Sequence, residues 1–277
     1  MPSSHDVGFV IDDSTNNDVL NPKGFGKGFD PDQIPKDLPE PIPLFGDAPD
    51  QIKEFSDSEL LARTQELWDR KATLWHLRQI AANGQQMPTL DQGQEGYCWN
   101  YSLVRAMMYI RAMQNQEYRR LSAHAAACII KNYRNEGGWC GLAYDFAMKR
   151  GCPSVEFWPE KSQSRTHDNP RTWENAAGNK IIEGYFDESV AVYNQKLTLR
   201  QLLTLLCLGI PVAADRFRWS HSTCDHTPII KDGRVWPMGD NSWTDGWGDK
   251  GTYVFVGDSM ARADGAVAVR ALNASVN

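Results

Sequence analysis

The chain has no long hydrophobic run. Its longest apolar stretch within 277 residues, Leu202 to Ala214, is broken by Thr204. That falls short of the roughly 20 residues a membrane-crossing helix needs, so no membrane partner is expected. The opening residues Met1 to Asp6 lack a basic segment followed by an apolar one, so no secretion signal is expected either. No block of Lys or Arg stands out, and 29 basic against 35 acidic residues give a net charge of −6. That balance argues against a nucleic-acid partner. The six cysteines, at 98, 128, 140, 152, 207 and 224, include no CxxC pair. Zinc ribbons and thioredoxin-like redox motifs therefore have no support. An even count allows three disulfides, but without a secretion signal mostly free thiols are expected. What is present is core-forming material: 41% hydrophobic residues, with ten Trp, nine Tyr and ten Phe. A disordered or collagen-like chain is excluded.

Three stretches follow one another. Residues 1–50 form a Pro/Gly-rich arm, with Asn21 to Gly28 followed by Pro31, Pro35, Pro39, Pro41 and Pro43. Repeated proline fixes φ and removes donors, which predicts extended backbone lying either on its own globule or on a partner. Residues 51–85 read as a helical extension over 56–83, opened by the capping box Ser56 to Glu59 and stopped near Gly84. From residue 86 to 277 the pattern places helices at Cys98–Gln116, Ser122–Tyr133, Gly141–Arg150 and Thr198–Leu208. Strands follow near 210–215, 226–230, 235–238 and 251–256, with a hairpin turn at Asp232-Gly233. The polar stretch from Glu160 to Arg171 reads as a solvated loop. Helices first and antiparallel strands later mean an α+β chain with two segregated lobes.

Cys98 opens a helix behind Gly93-Gln94-Glu95-Gly96-Tyr97. Unpaired N–H groups and the helix dipole at that place favour a thiolate, which suits a nucleophile. Its own N–H and the side-chain amide of Gln92 are candidate oxyanion donors. His226 follows Asp225 at the start of an apolar strand, and Asn241 lies one hairpin further on, where its amide would orient the imidazole. Taken singly, each has a plain structural reading: a packed cysteine at a helix start and a satisfied histidine at a strand end. His221, Cys224 and His226 make a metal site conceivable, though zinc wants a fourth ligand. No cofactor is expected.

Together these residues resemble the papain family of cysteine peptidases. Gln92 to Ser102, containing Gln-Gly-Gln-Glu-Gly-Tyr-Cys-Trp, is similar to that family's nucleophile motif. Asp225-His226 resembles its histidine strand, and Asn241-Ser242-Trp243 to Gly246-Trp247-Gly248 its Asn-Ser-Trp block. The resemblance covers about residues 86–258. It implies a papain-like two-lobe fold, with a helical left lobe and an antiparallel sheet or barrel as the right lobe. It also implies Cys98 as nucleophile, His226 as its partner, Asn241 as orienting group and Gln92 in the oxyanion hole. Trp243 would shield the His–Asn bond, and Gly137-Gly138 would let a substrate backbone pair closely. Glu95 stands where the family carries a cysteine, so the disulfide usual beside the nucleophile cannot form. Thr244 for a glycine and the bulky Tyr97 put substrate preference, not chemistry, in doubt.

The expected activity is endopeptidic hydrolysis of a polypeptide substrate through a thioester. The alternative is a structural component of a larger assembly, such as a virus particle, bound through the arm. A cell-wall amidase is weaker, because the Asn-Ser-Trp block speaks against it. The expected location is cytoplasmic or virion-associated. The helix of the extension reads equally as part of an inhibitory pro-segment or as a permanent addition on the right lobe.

Overall fold

The computed structural model describes residues 8–35, 44–49, 51–187 and 197–273. Pro39, Pro41 and Pro43 of the arm lie outside the described residues. The helices are α1 (Asn17–Leu20), α2 (Asp57–Asp69), α3 (Leu74–Arg78), α4 (Cys98–Met113), α5 (Ala123–Ile130), α6 (Cys140–Lys149), α7 (Pro170–Ala177) and α8 (Leu199–Cys207). The strands are β1 (Val10–Ile11), β2 (Ile181–Asp187), β3 (Val212–Arg216), β4 (His221–Lys231), β5 (Arg234–Asp240), β6 (Thr252–Phe255) and β7 (Gly265–Leu272).

Helix α4 is the axis of the left lobe. It is buried continuously from Cys98 to Arg111 because α5 and α6 flank it on one side and the sheet backs it on the other. The right lobe is a seven-stranded open sheet in the order β1-β6-β5-β4-β3-β7-β2, antiparallel except where β1 joins β6 in parallel. The β4–β5 hairpin closes through Asp232 and Gly233, both at positive φ, the geometry an Asp-Gly turn supplies. Helix α8, held by the Thr198/Gln201 capping box, lays its leucines under the sheet. This is the α+β, two-lobed, papain-like architecture, with the sheet left open rather than closed as a barrel.

The expected single helix over 56–83 is two. Its capping box forms as read, with Ser56 and Glu59 exchanging bonds, but the helix ends at Asp69 and Lys71 turns to positive φ. Thr73 then caps a second helix. The break lets Trp68 and Trp75 stack with centroids 5.6 Å apart, while the Trp68 indole donates to the Pro228 carbonyl at 2.8 Å. Arg78 is buried and its Nε lies 3.3 Å from Asp240 Oδ1, while its Nη2 donates to the Lys250 carbonyl at 2.8 Å. The extension therefore rests on the back of the right lobe, not across the cleft. Polar 170–177, expected to begin as loop, is helix α7. Asn169 caps it and Pro170 occupies its first turn.

Candidate active site

Cys98 is the first residue of α4 and is wholly buried. The helix start favours a thiolate, yet burial dominates and pushes the thiol up to about 11. Its sulfur accepts the Gly28 N–H at 3.2 Å and is faced by the N–H and hydroxyl of Ser222.

Asn241 is joined to His221, not to His226 as the sequence suggests. His221 Nε2 and Asn241 Oδ1 are 2.8 Å apart, and an amide oxygen only accepts, so Nε2 carries the proton. Nδ1 is then the bare nitrogen, buried and without a hydrogen-bond partner. Trp243 covers the pair, its ring centroid 4.5 Å from that of His221. The reason for the exchange is a β-bulge. Counting back from the turn, Lys231 pairs with Arg234 and Thr227 with Met238, but beyond the irregularity at His226, Asp225 pairs with Gly239. One inserted residue moves the other set of side chains onto Asn241's face. His226 points instead into a buried network. Its Nδ1 meets Thr227 Oγ1 at 2.8 Å, its Nε2 lies 3.6 Å from Asp240 Oδ1, and its ring lies 5.0 Å from that of Tyr109. Arg105 and Tyr109 of α4 also hold Asp240, so this network ties the lobes and the extension together.

The other expected residues line a cleft that the chain itself fills. Gln92 accepts the Ser242 hydroxyl on its Oε1, which aims Nε2 at the Gly26 carbonyl, 3.0 Å away. The Trp243 indole donates to the same oxygen at 3.1 Å. The Gly26 N–H bonds the Gly93 carbonyl at 2.8 Å. Gly138 donates to the Gly28 carbonyl at 2.7 Å and accepts from the Asp30 N–H at 2.8 Å, while Gly137 backs this contact. Residues 25–30 thus form a strap. Phe25 stacks on Trp243 at one end, and Phe29 packs with Phe217 and Trp139 at the other. The strap fits because a Cβ on Gly26 or Gly28 would lie 2.2 or 1.9 Å from the carbonyl oxygens of Glu95 and Gly96. Glycine at every second residue from Gly24 to Gly28 was the legible sign of a bare-faced extended segment.

The covered site is electrically quiet. His221 is pushed down to about 3, chiefly by burial, with Lys27 of the strap and Arg216 adding to the effect and the Asn241 bond opposing it. Lys27, half-buried, donates to the Trp219 carbonyl at 3.0 Å, and burial lowers its pKa too. A neutral thiol and a neutral imidazole therefore coexist under the strap. All six cysteines are free. Among the described residues no group of three or more His, Cys, Asp or Glu is arranged to hold a metal, and no helix is long and apolar enough to cross a membrane.

Neither a protein-family model nor a curated relative matches the sequence. Solved structures do match in fold. Digestive procathepsin L 3 of the Tenebrio molitor larval midgut superposes with a TM-score of 0.54 at 16% identity, over 80% of this chain and 94% of that one. Xylellain, a cysteine protease from Xylella fastidiosa, gives 0.52 at 14% identity, over 67% and 83% of the two chains. The proform of Amb a 11, a ragweed pollen cysteine protease, gives 0.52 at 16% identity, over 73% and 65%.

Proposed function

We propose that this chain is a cysteine endopeptidase, with Cys98 as nucleophile, His221 as its proton partner and Asn241 as the group that orients the ring. The observation that carries this reading is the His221–Asn241 bond beneath Trp243, with the second ring nitrogen left bare, in a cleft that also holds a buried cysteine at a helix start. In the proposed reaction the Cys98 thiol gives its proton to His221 Nδ1 and the sulfur attacks a peptide carbonyl carbon. The oxyanion takes donors from the Gln92 amide and the Cys98 N–H. His221 then protonates the leaving amine, and water releases the acid from the thioester.

The strap supports a latent form of that enzyme. It follows the path a polypeptide substrate would need, pairing with Gly138 and meeting the Gln92 amide. It meets the sulfur through the Gly28 N–H and rests its Gly26 carbonyl oxygen on the Gln92 amide. The strap thus covers both the sulfur and the oxyanion donor, which keeps a substrate out of the cleft. The similarity to structures described as a procathepsin and a proform agrees with latency.

The test is a peptide library read by mass spectrometry, with the strap loosened by Gly28→Ala in the full chain. Hydrolysis by this variant, abolished by adding Cys98→Ala or His221→Ala, is the expected result. Turnover that survives Cys98→Ala would overturn the assignment.

A further inference from the structure

Beside the nucleophile lies a buried carboxyl that the reaction above does not use. Asp215 of β3 is 1% exposed and accepts three hydrogen bonds. Its Oδ2 takes the Cys140 N–H at 2.9 Å, and its Oδ1 takes the Cys140 thiol at 3.1 Å and the hydroxyl of Ser222. Strand register sets Asp215 directly across from Ser222, the residue after His221. Ser222 is also the residue whose hydroxyl and N–H face the Cys98 sulfur.

A serine hydroxyl has one hydrogen. While Asp215 is ionised, that hydrogen goes to the carboxylate, and the Ser222 hydroxyl oxygen turns only lone pairs toward the sulfur, which suits a thiol and not a thiolate. When Asp215 takes up a proton, its O–H donates to the Ser222 oxygen and frees the serine hydrogen for the sulfur. We propose that Asp215 is a positioning residue for the Cys98 sulfur, acting through the Ser222 hydroxyl, so that ionisation of the carboxyl and of the thiol are coupled. This rests on the reading of Cys98 as nucleophile.

The plain alternative is that Asp215 only caps α6, whose first N–H it accepts and whose own cap, Trp139, supplies no side chain. Capping leaves the Ser222 bond unexplained. The charged and titratable groups facing Asp215 are Cys140 of α6, Cys98 of α4 and Arg216 on its own strand, with Ser222 between it and Cys98. His221 and Lys27 complete the surroundings of Cys98 and its partner. Burial raises Asp215 to about 6, which sets its ionisation near neutral pH.

The experiment measures the rate of Cys98 alkylation by iodoacetamide against pH, read at peptide level by mass spectrometry, in the full chain carrying Gly28→Ala. Asp215→Asn removes the charge and supplies an amide donor to Ser222. It is expected to move the midpoint about one pH unit to the acid side, a tenfold rate gain at fixed pH below the midpoint. Ser222→Ala is expected to move it to the alkaline side, and Ser222→Thr, which keeps the hydroxyl, to restore it. With Ser222→Ala in place, adding Asp215→Asn is expected to move the midpoint by less than half as much. An unmoved midpoint with a lowered melting temperature would leave Asp215 a cap and overturn the proposal. An equal shift with and without the hydroxyl would overturn it in favour of charge alone. If Asp215→Asn does not fold, the Ser222 pair decides, and an unmoved midpoint in Ser222→Ala sinks the idea. Alkylation needs no turnover, so a chain that titrates as expected but cuts no peptide refutes the peptidase reading and spares the coupling.

Discussion

Replacing Gly28 with alanine adds one methyl group at the tightest point of the strap. The new carbon would lie 1.9 Å from the Gly96 carbonyl oxygen and 2.3 Å from its carbon. Both belong to backbone that leads straight into α4, so it is the strap that has to withdraw, by more than about 1 Å. Hydrogen bonds tolerate only a few tenths of an ångström. The Gly28 N–H bond to Cys98 and its carbonyl bond to Gly138 therefore fail together. Two bonds at about 1 kcal/mol each, with about 1 kcal/mol or more of overpacking, give roughly 3 kcal/mol. At 1.4 kcal/mol per factor of ten, the open fraction rises roughly 100-fold. The assay is the second-order rate of Cys98 alkylation by iodoacetamide at fixed pH, compared with wild type and with Lys23→Ala at an exposed position just before the strap. The expected outcome is a rate increase of about two orders of magnitude for Gly28→Ala and none for Lys23→Ala. Equal rates in all three proteins, with melting temperatures unchanged, would refute the claim that the strap guards the sulfur.

Two further expectations concern stability. His221 and His124 are held near 3 and 4, below the ordinary 6.5, so the unfolded chain binds their protons first and stability falls as pH drops from 6.5 toward 4. Asp215, raised from 3.8 to about 6, works in the opposite sense, its stabilising share being lost as pH rises through 6. Urea midpoints measured from pH 7 to 4 should therefore decline on acidification, less steeply in His124→Gln and more steeply in Asp215→Asn; a flat profile would refute this. Arg78→Met leaves Asp240 with one guanidinium fewer and should cost about 3 kcal/mol in urea unfolding, the scale for breaking a buried ion pair from one side. A change under about 1 kcal/mol would mean that Arg105 alone satisfies the carboxylate.

The lobes were legible because their signals are local. The apolar spacing of α4, the Thr198 capping box and the Asp232-Gly233 turn each specify an element within a few residues. The positions of Cys98, Gln92 and Asn241 around one cleft followed from motif order. Which histidine meets Asn241 was not legible, since a single bulge at His226 decides which face of β4 meets Asn241, and nothing in the run Ser222 to Pro228 marks it. Strands β2 and β7 were passed over for a different reason. They are joined to each other, and β7 to β3, across long sequence separations, and no local pattern announces such pairing. The arm's proline content foretold extended backbone, but only the alternation of its glycines hinted where residues 24–28 would lie.

The strap is moored on both sides of the cleft. Upstream, β1 is stitched to the β6 edge and the Leu20 carbonyl holds the Trp219 indole; downstream, Gln33 bonds Lys131 and Ile34 is sunk beside Trp139. A blocker tethered at two ends returns to its seat at a rate set by its own short loop, whatever the protein concentration. Dilution alone cannot lift the strap; release requires a severed mooring or a competitor strong enough to displace a neighbour that never diffuses away.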